Sequence, residues 1–396
     1  MIYLDNASTT QINPSVLHAM IPYLKDLYGN AGSIHSLGRR AAKAIENARQ
    51  QVALFIGARP DQIIFTSGGS EANTLAVLGV KEYLQKIGKT HTIVSEVEHE
   101  SMLKAFEMLQ NRCSTTDKMC IKDDFDTSFL RVNKHCHADI KHLKEIIQNN
   151  TGLVSVMYAN NETGAVNAVE SIAKLCKKNN TLFLTDCVQA AGVYKINVNT
   201  LECDMLTISS HKIHGPKGVG CLYVRNPEIL NPIICGGNKQ EFGLRGGTEN
   251  VAAIVGFGAA CEMFTRIAPS FSFFTKQCEF FLSRLTYHLG KVGLARYIHI
   301  NGCNGKIINI RIEGLDSETL VLKMDSEGVC ISSGSACTNH ESKPSHVLLA
   351  MGLTEDEARS SVRVSLSNNS YVRELNDAAK IMAKSIGELR GVYNGD

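Results

Sequence analysis

The sequence predicts an α/β protein: a large domain on a mainly parallel sheet, followed by a smaller α+β domain. Three observations predict it. Short β-branched apolar runs alternate with segments of helical period through roughly the first 260 residues. Glycines gather just beyond several of those runs, and past residue 260 the order changes to a helix, then strands, then a closing amphipathic helix. A chain of 396 residues is long enough to bury about 75% of its unfolded surface.

In order, Ile63-Ile64-Phe65-Thr66 reads as a strand, followed by the turn Gly68-Gly69-Ser70-Glu71 and an amphipathic helix from Ala72 to Leu84. Thr92-Ile93-Val94, Leu153 to Met157, Leu182-Phe183-Leu184 and Met205 to Ile208 read as further strands, with a helix from Val169 to Lys178. Ligands gather at the carboxyl ends of such strands. In the second part, Lys306 to Ile312 and Val362 to Leu366 read as strands and Glu374 to Leu389 as a helix. Glycines 215, 218 and 220, and then 236, 237, 243, 246 and 247, mark loops whose backbone must approach something closely.

Composition narrows the function. Lys plus Arg number 41 against 39 Asp plus Glu, so no basic excess points to nucleic acid or a membrane surface, and a small substrate is expected. The longest weakly polar run, Val251 to Cys261, is about half of what spans a bilayer. The start, Met1-Ile2-Tyr3-Leu4-Asp5-Asn6, has no basic or apolar leader pattern, and a cytoplasmic protein is expected. The 13 cysteines form no C-x-x-C pair. Cys113, Cys120 and Cys136, with His135 and His137, are close enough to raise a metal reading, but their spacing matches no closed tetrahedral site. A polar insertion is the better reading, and no metal is expected.

Three strand-end features carry the chemistry. The turn Thr66-Ser67-Gly68-Gly69-Ser70-Glu71 opens a helix whose free N–H groups suit a phosphate. Asp186 ends a buried strand, where an ionised carboxylate needs a partner such as a cationic ring nitrogen. Lys212 follows another strand and precedes the rigid turn Ile213-His214-Gly215-Pro216, where an amine is held ready to form a Schiff base. Singly, Asp186 also reads as a helix cap and Lys212 as a solvated lysine. Together they supply the anion site, pyridinium partner and amine that pyridoxal phosphate needs.

Along its whole length the chain resembles the cysteine desulfurases of the class V aminotransferase-like superfamily. The resemblance rests on Tyr3 to Thr10; Gly29-Asn30 with Ser33 and His35; Phe65 to Asn73; Glu98-His99; and Asn160-Asn161-Glu162-Thr163-Gly164. It continues through Asp186 with Gln189, Ser209-Ser210-His211-Lys212, Arg245-Gly246-Gly247-Thr248 and Ser332-Ser333-Gly334-Ser335-Ala336-Cys337. It implies a fold type I pyridoxal-phosphate enzyme with a seven-stranded sheet, a large domain over 15–260, and a small domain over 261–396 together with 1–14. It also implies that Lys212 carries the cofactor, Asp186 pairs with its ring nitrogen, and His99 stacks on the ring and carries protons. Gln189 and Asn161 would contact the ring hydroxyl region and substrate. Gly69, Ser70, Ser209 and His211 would bind the phosphate, with Thr248 reaching it from the second subunit of a homodimer. Arg363, assisted by Asn30, would clamp the carboxylate of L-cysteine. Cys337, in the long-loop type of segment from 337 to 344, would take the sulfur as a persulfide and pass it to an acceptor protein. That sulfur serves iron–sulfur clusters, tRNA thiolation or phosphorothioate DNA.

The chain departs from the family pattern at Ala31, where proline is common, at Ser210, where a smaller residue precedes the His-Lys pair, and at Ser367-Asn368-Asn369, where Gly and a basic residue are usual. A selenocysteine lyase or another aminotransferase-like enzyme is the nearer alternative, and a non-catalytic scaffold the farther one.

Overall fold

The apolar runs of the first part become one seven-stranded sheet. The structure, a computed structural model, describes residues 1–110, 125–237, 240–267, 271–333, 343–368 and 370–392. Cys113, Cys120 and Cys337 lie outside the described residues. In chain order β1 (Ile2–Tyr3), α1 (Pro14–Lys25) and α2 (Ser36–Ile56) lead to β2 (Ile63–Thr66), α3 (Gly69–Gly79), α4 (Lys81–Lys86) and β3 (His91–Ser95). Then come α5 (Glu100–Leu109), β4 (Asp126–Leu130), α6 (Ile140–Ile146), β5 (Thr151–Ser155), α7 (Val169–Lys178) and β6 (Leu182–Asp186). The large domain closes with α8 (Val198–Leu201), β7 (Met205–Ser209), β8 (Gly220–Val224) and α9 (Val251–Ile267).

The sheet order is β2-β8-β7-β6-β5-β3-β4. Strands β3 to β7 run parallel, while β8 is antiparallel to both β2 and β7. Both faces are covered, so the strands read as apolar throughout. Ile63, Phe65, Leu206 and Ile208 point into a core shared with α1, α2 and α9. Ile64, Leu184, Met205 and Leu222 point the other way, against Leu75 of α3 and Met102 and Phe106 of α5.

The small domain comprises α10 (Phe271–Gly290), β9 (Ile298–Asn304), β10 (Ile307–Ile312), α11 (Ser317–Ser326), β11 (Val329–Cys330), α12 (His346–Ala350), α13 (Glu355–Arg359), β12 (Ser361–Ser365) and α14 (Val372–Leu389). An antiparallel sheet in the order β12-β10-β9 packs beneath α10 and α14 around Phe281, Ile308, Ile310, Val362 and Met382. The N-terminus joins this body: β1 pairs with β11, and Leu4 lies in its core. Helix α9 runs past residue 260, with Cys261 and Phe264 in the large-domain core.

Two local departures from the sequence reading have physical causes. The single helix expected from Ala72 to Leu84 is broken at Val80, because Asn231 donates its N–H to the Gly79 carbonyl (2.8 Å) and takes an acceptor that the helix would otherwise use. The stretch read as a polar insertion contributes an edge strand, β4, and β8 and β9 were also not foreseen. Among the described residues no single helix is long and apolar enough to cross a membrane. Nor is there, among those residues, a group of three His, Cys, Asp or Glu side chains placed for a metal. Cys136 is buried, and burial pushes its thiol up to about 12.

Candidate active site

The site forms where β2, β6 and β7 end. After Thr66 the chain turns through Gly68, at φ 156°, into the first turn of α3. Here β8 enters beneath the turn as Gly220, where a Cβ would lie 2.6 Å from the Ile208 carbonyl and 2.9 Å from Gly68 Cα. Only glycine fits that approach. A Cβ on Gly69 would come 3.7 Å from Ser209 Cβ, so Ser209, at the buried end of β7, lies beside the α3 N-terminus with Gly69 and Ser70. The Glu71 carboxylate braces the turn, accepting from Ser67 N (2.9 Å) and pairing with Arg245 Nε (2.8 Å). Burial opposes its charge, but the hydrogen bonds from Arg245 and Ser67 hold Glu71 below the usual carboxylate range. His211 Nδ1 meets Thr9 Oγ1 at 3.1 Å, and the ring is pushed down to about 4, first by burial and then by Lys212, Lys217 and Lys306.

Asp186 is the last residue of β6 and is buried. Its Oδ2 accepts from Asn73 Nδ2 (3.0 Å) and its Oδ1 from Val188 N (2.8 Å). Asn73 in turn donates to Ser101 Oγ (3.1 Å), which meets His99 Nδ1 at 2.8 Å. His99 caps α5, and Ser101 N also donates to its Nδ1 (3.2 Å), which leaves the neutral ring's proton on Nε2. Burial first of all holds His99 below its ordinary value; Asp186 opposes that shift, and Lys212 reinforces it. His99, Asp186 and Lys212 therefore share one electrostatic neighbourhood. The Lys212 ammonium donates to the carbonyls of Ala7 and Ser8, so the N-terminal segment fixes it. Gln189 Nε2 donates to the same Ala7 carbonyl (2.8 Å). Beside His99, Glu98 is fully buried, its Oε1 accepts from Met157 N (2.6 Å), and burial raises its carboxyl well above the usual range.

Arg363 also reaches this neighbourhood, but not as an open clamp. It is 4% exposed; Nη2 bonds Asp5 Oδ1 (2.9 Å) and Ser8 Oγ (2.7 Å), and Nη1 donates to the Asn161 carbonyl (2.9 Å). The sequence reading missed Asp5 as its partner, since the pair joins residues at opposite ends of the chain. It also missed Lys306, which directly precedes β10, where a lysine reads as solvated. Lys306 is 5% exposed, and its Nζ donates to the Lys212 carbonyl (3.4 Å). Within one chain, Asn30 and Thr248, the latter expected to reach the site of a second subunit, stand on loops of their own. Among the described residues, Asn30 bonds within its own loop, accepting from Gly32 N (2.8 Å), and Thr248 is exposed on another loop.

This donor set fits a phosphate-bearing aldehyde with a cationic ring. Gly69, Ser70 and Ser209 leave a cradle without side-chain bulk, Asp186 offers a buried carboxylate, and Lys212 offers an amine. Gln189 Oε1 and Asn73 Oδ1 are buried with no hydrogen-bond partner among the described residues, acceptors left over in the same place. A mainly parallel sheet with these groups at its strand ends is the layout of a fold type I pyridoxal-phosphate enzyme.

Comparison with known proteins agrees. Residues 2–377 match the class-V aminotransferase family. A cysteine desulfurase from Nostoc sp. is 38% identical over 401 residues, covering 99% of this chain and 94% of the relative. A solved NifS-like protein superposes with a TM-score of 0.85 at 30% identity, covering 98% of this chain and all of the other. SspA, solved in complex with cysteine, gives a TM-score of 0.76 at 32% identity over 92% of this chain and 99% of its own. The chain belongs to the class-V aminotransferase family, a pyridoxal-phosphate-dependent one, and within it to the cysteine desulfurase branch.

Proposed function

We propose that this protein is a cysteine desulfurase that converts L-cysteine to L-alanine, captures the sulfur as a persulfide on Cys337 and hands it to an acceptor protein. The observation that carries the reading is the meeting of His99, Asp186 and Lys212 beyond the carboxyl ends of β3, β6 and β7, in a chain matched end to end by cysteine desulfurases. The SspA complex supports cysteine as substrate.

Lys212 Nζ would hold pyridoxal phosphate, Asp186 its ring nitrogen, and Gly69, Ser70, Ser209 and His211 its phosphate. His99 would lie on the ring, and Gln189 and Asn161 at its hydroxyl side. When bound, the cofactor supplies an electron sink for the carbon that loses its α-proton. Lys212 moves that proton once its amine is free. Arg363 takes the substrate carboxylate by exchanging Asp5 for it, one carboxylate for another. His99, neutral with its proton on Nε2, is the proton carrier. The Cys337 thiolate attacks the substrate sulfur; an S–S bond forms as the C–S bond breaks, and the carbon fragment takes up a proton to leave as alanine.

A homodimer is part of the proposal. The exposed apolar side chains of Leu17, Ile21 and Leu24 on α1 and the exposed Thr248 loop support it. All ten described cysteines are free, which supports a reducing compartment such as the cytoplasm. The test is alanine formation from L-cysteine by cofactor-loaded protein under anaerobic, reducing conditions. Alanine over many turnovers, lost together with protein persulfide in Cys337→Ala, is the expected result. Turnover of selenocysteine but not cysteine, or a keto acid in place of alanine, would overturn the reading in favour of a lyase or aminotransferase.

A further inference from the structure

Away from the site, the small domain brings two thiols together. Cys278 lies on the buried face of α10, in the core with Phe281 and Ile308, and its Sγ donates to the Gly305 carbonyl (3.2 Å). Cys303 lies two residues before Gly305, on β9, and pairs in antiparallel register with Ile308 of β10. Residues directly opposite in an antiparallel pair project to the same face. Ile308 is fully buried against α10, so Cys303 also projects toward α10 and Cys278. Because β9 is the edge strand of its sheet, Cys303 remains exposed while Cys278 is buried. Their mutual interaction is the main reason why the Cys303 thiol sits below its ordinary value and the Cys278 thiol above it, burial adding to the second shift.

We infer that Cys278 and Cys303 form a redox-active dithiol that reacts with small-molecule disulfides, Cys303 as the attacking thiol and Cys278 as the resolving one. The asymmetry assigns the roles: the nucleophile must be accessible and ionisable, and the resolving thiol must lie next to it, shielded from solvent. The Cys303 thiolate attacks one sulfur of the small disulfide, forming a mixed disulfide and expelling one small thiolate. Cys278 then attacks Cys303 Sγ, and its proton leaves with the second small thiol. The protein pair loses two electrons and two protons overall, and the small disulfide is reduced to two thiols. The cross-link ties α10 to the turn from Asn304 to Lys306, the same turn whose Lys306 touches the carbonyl of Lys212.

The experiment treats the full-length, cofactor-loaded protein with oxidised glutathione, alkylates free thiols, digests with trypsin and maps the peptides by mass spectrometry. Peptides 277–284 and 297–306 each hold a single cysteine, so a cross-link between them is unambiguous. The wild type should give this cross-linked pair, reversible by dithiothreitol. Cys278→Ser should instead accumulate glutathione on peptide 297–306, and Cys303→Ser should leave Cys278 unmodified. Recovery of both wild-type peptides as separate alkylated species, under conditions that oxidise other cysteines of the chain, would overturn the inference. So would a Cys278→Ser protein that carries no adduct at Cys303. The wild-type map needs no variant to fold.

Discussion

Two buried clusters of charge lie in the same chain, one closed and one open. In the closed one, Arg49 and Glu241 are both almost fully buried. Arg49 Nη1 and Nη2 reach both Glu241 oxygens (2.8 and 2.7 Å), Nη1 also meets the Ile63 carbonyl (2.7 Å), and Glu241 accepts from Phe65 N (2.7 Å). In the open one, Lys212, Lys306, His211 and Arg363 crowd together. The charges acting on Lys306 are Lys212 and Arg363, both cationic. Asp5 and the buried Asp186 and Glu162 are carboxylates nearby; Asp5 is engaged by Arg363, and Glu162 accepts from Ser345 Oγ. The closed cluster has its bonds complete and positions the strand β2. The open one keeps cationic groups, held mainly by backbone carbonyls and Asp5, where an anionic cofactor and a carboxylate substrate would bring the matching negative charge.

Removing Lys212 should show the largest effect and separate the two clusters most sharply. Lys212→Ala should lower turnover to below about one ten-thousandth of wild type, while the melting temperature of the apoprotein stays within a few degrees, because an amine used for chemistry contributes little to the fold. Steady-state alanine release and calorimetry on the same preparation read both quantities. Residual turnover above one hundredth would remove Lys212 from the chemistry.

The closed cluster should behave in the opposite way. Arg49→Met leaves Glu241 buried with its charge unmatched, and should cost about 3–5 kcal/mol of stability, the usual result of breaking a buried pair from one side. Urea denaturation measures it. Turnover per folded molecule should stay within about twofold of wild type, since this pair lies behind β2 and touches none of the proposed catalytic groups. A loss of turnover without a loss of stability would make this cluster part of the site.

How much of this was legible in the sequence depends on the range of the signal. Gly68-Gly69-Ser70, Asp186 and Lys212 were legible because each directly follows an apolar strand run, and position at a strand end is a local pattern. Asp5 against Arg363 and Glu241 against Arg49 were not, since their partners are brought in by the fold from far along the chain. Lys306 was hidden by its type, because a lysine that opens a strand reads as solvated. Asn73 lay within a quoted motif, but its role appears only once α3 packs beside β6 and its amide meets Asp186. The strand β8 was lost among glycines that read as loop, and β9 because an edge strand carrying Asn301, Gly302 and Asn304 lacks an apolar run.

Lys306 offers a finer test of the open cluster. Its amine is pushed down to about 7, first by burial and then by Lys212 and Arg363, against 10.5 for a free lysine. Between these values the unfolded chain binds a proton that the folded chain does not, so stability rises as pH goes from 7 toward 10 and levels off below 7. Replacing the amine with an apolar side chain of similar length should remove both the penalty and the slope. The apoprotein of Lys306→Met should be more stable than wild type at pH 7, by an amount on the order of 2–4 kcal/mol, and the two should converge near pH 10. Urea midpoints across that range check it; a variant less stable than wild type at pH 7 would mean that Lys306 is as well paired as Arg49.

The smallest effect is expected at Ser101, which links His99 to Asn73 and thereby to Asp186. Ser101→Ala deletes the hydroxyl but keeps the backbone N–H that donates to His99 Nδ1, so the ring keeps its tautomer and loses one of two restraints. The loss of one neutral hydrogen bond of about 1 kcal/mol corresponds to a fall in kcat of about fivefold, with KM for cysteine little changed, because the hydroxyl holds the proton carrier and not the substrate. A matching fall in KM-dependent binding would place Ser101 on the substrate instead. If Ser101→Ala were silent while His99→Ala was severe, Ser101 Oγ would be dispensable and the backbone cap of α5 alone would orient the imidazole. In that case the open cluster would owe its geometry to the helix start, just as Gly69 and Ser70 owe theirs to the start of α3.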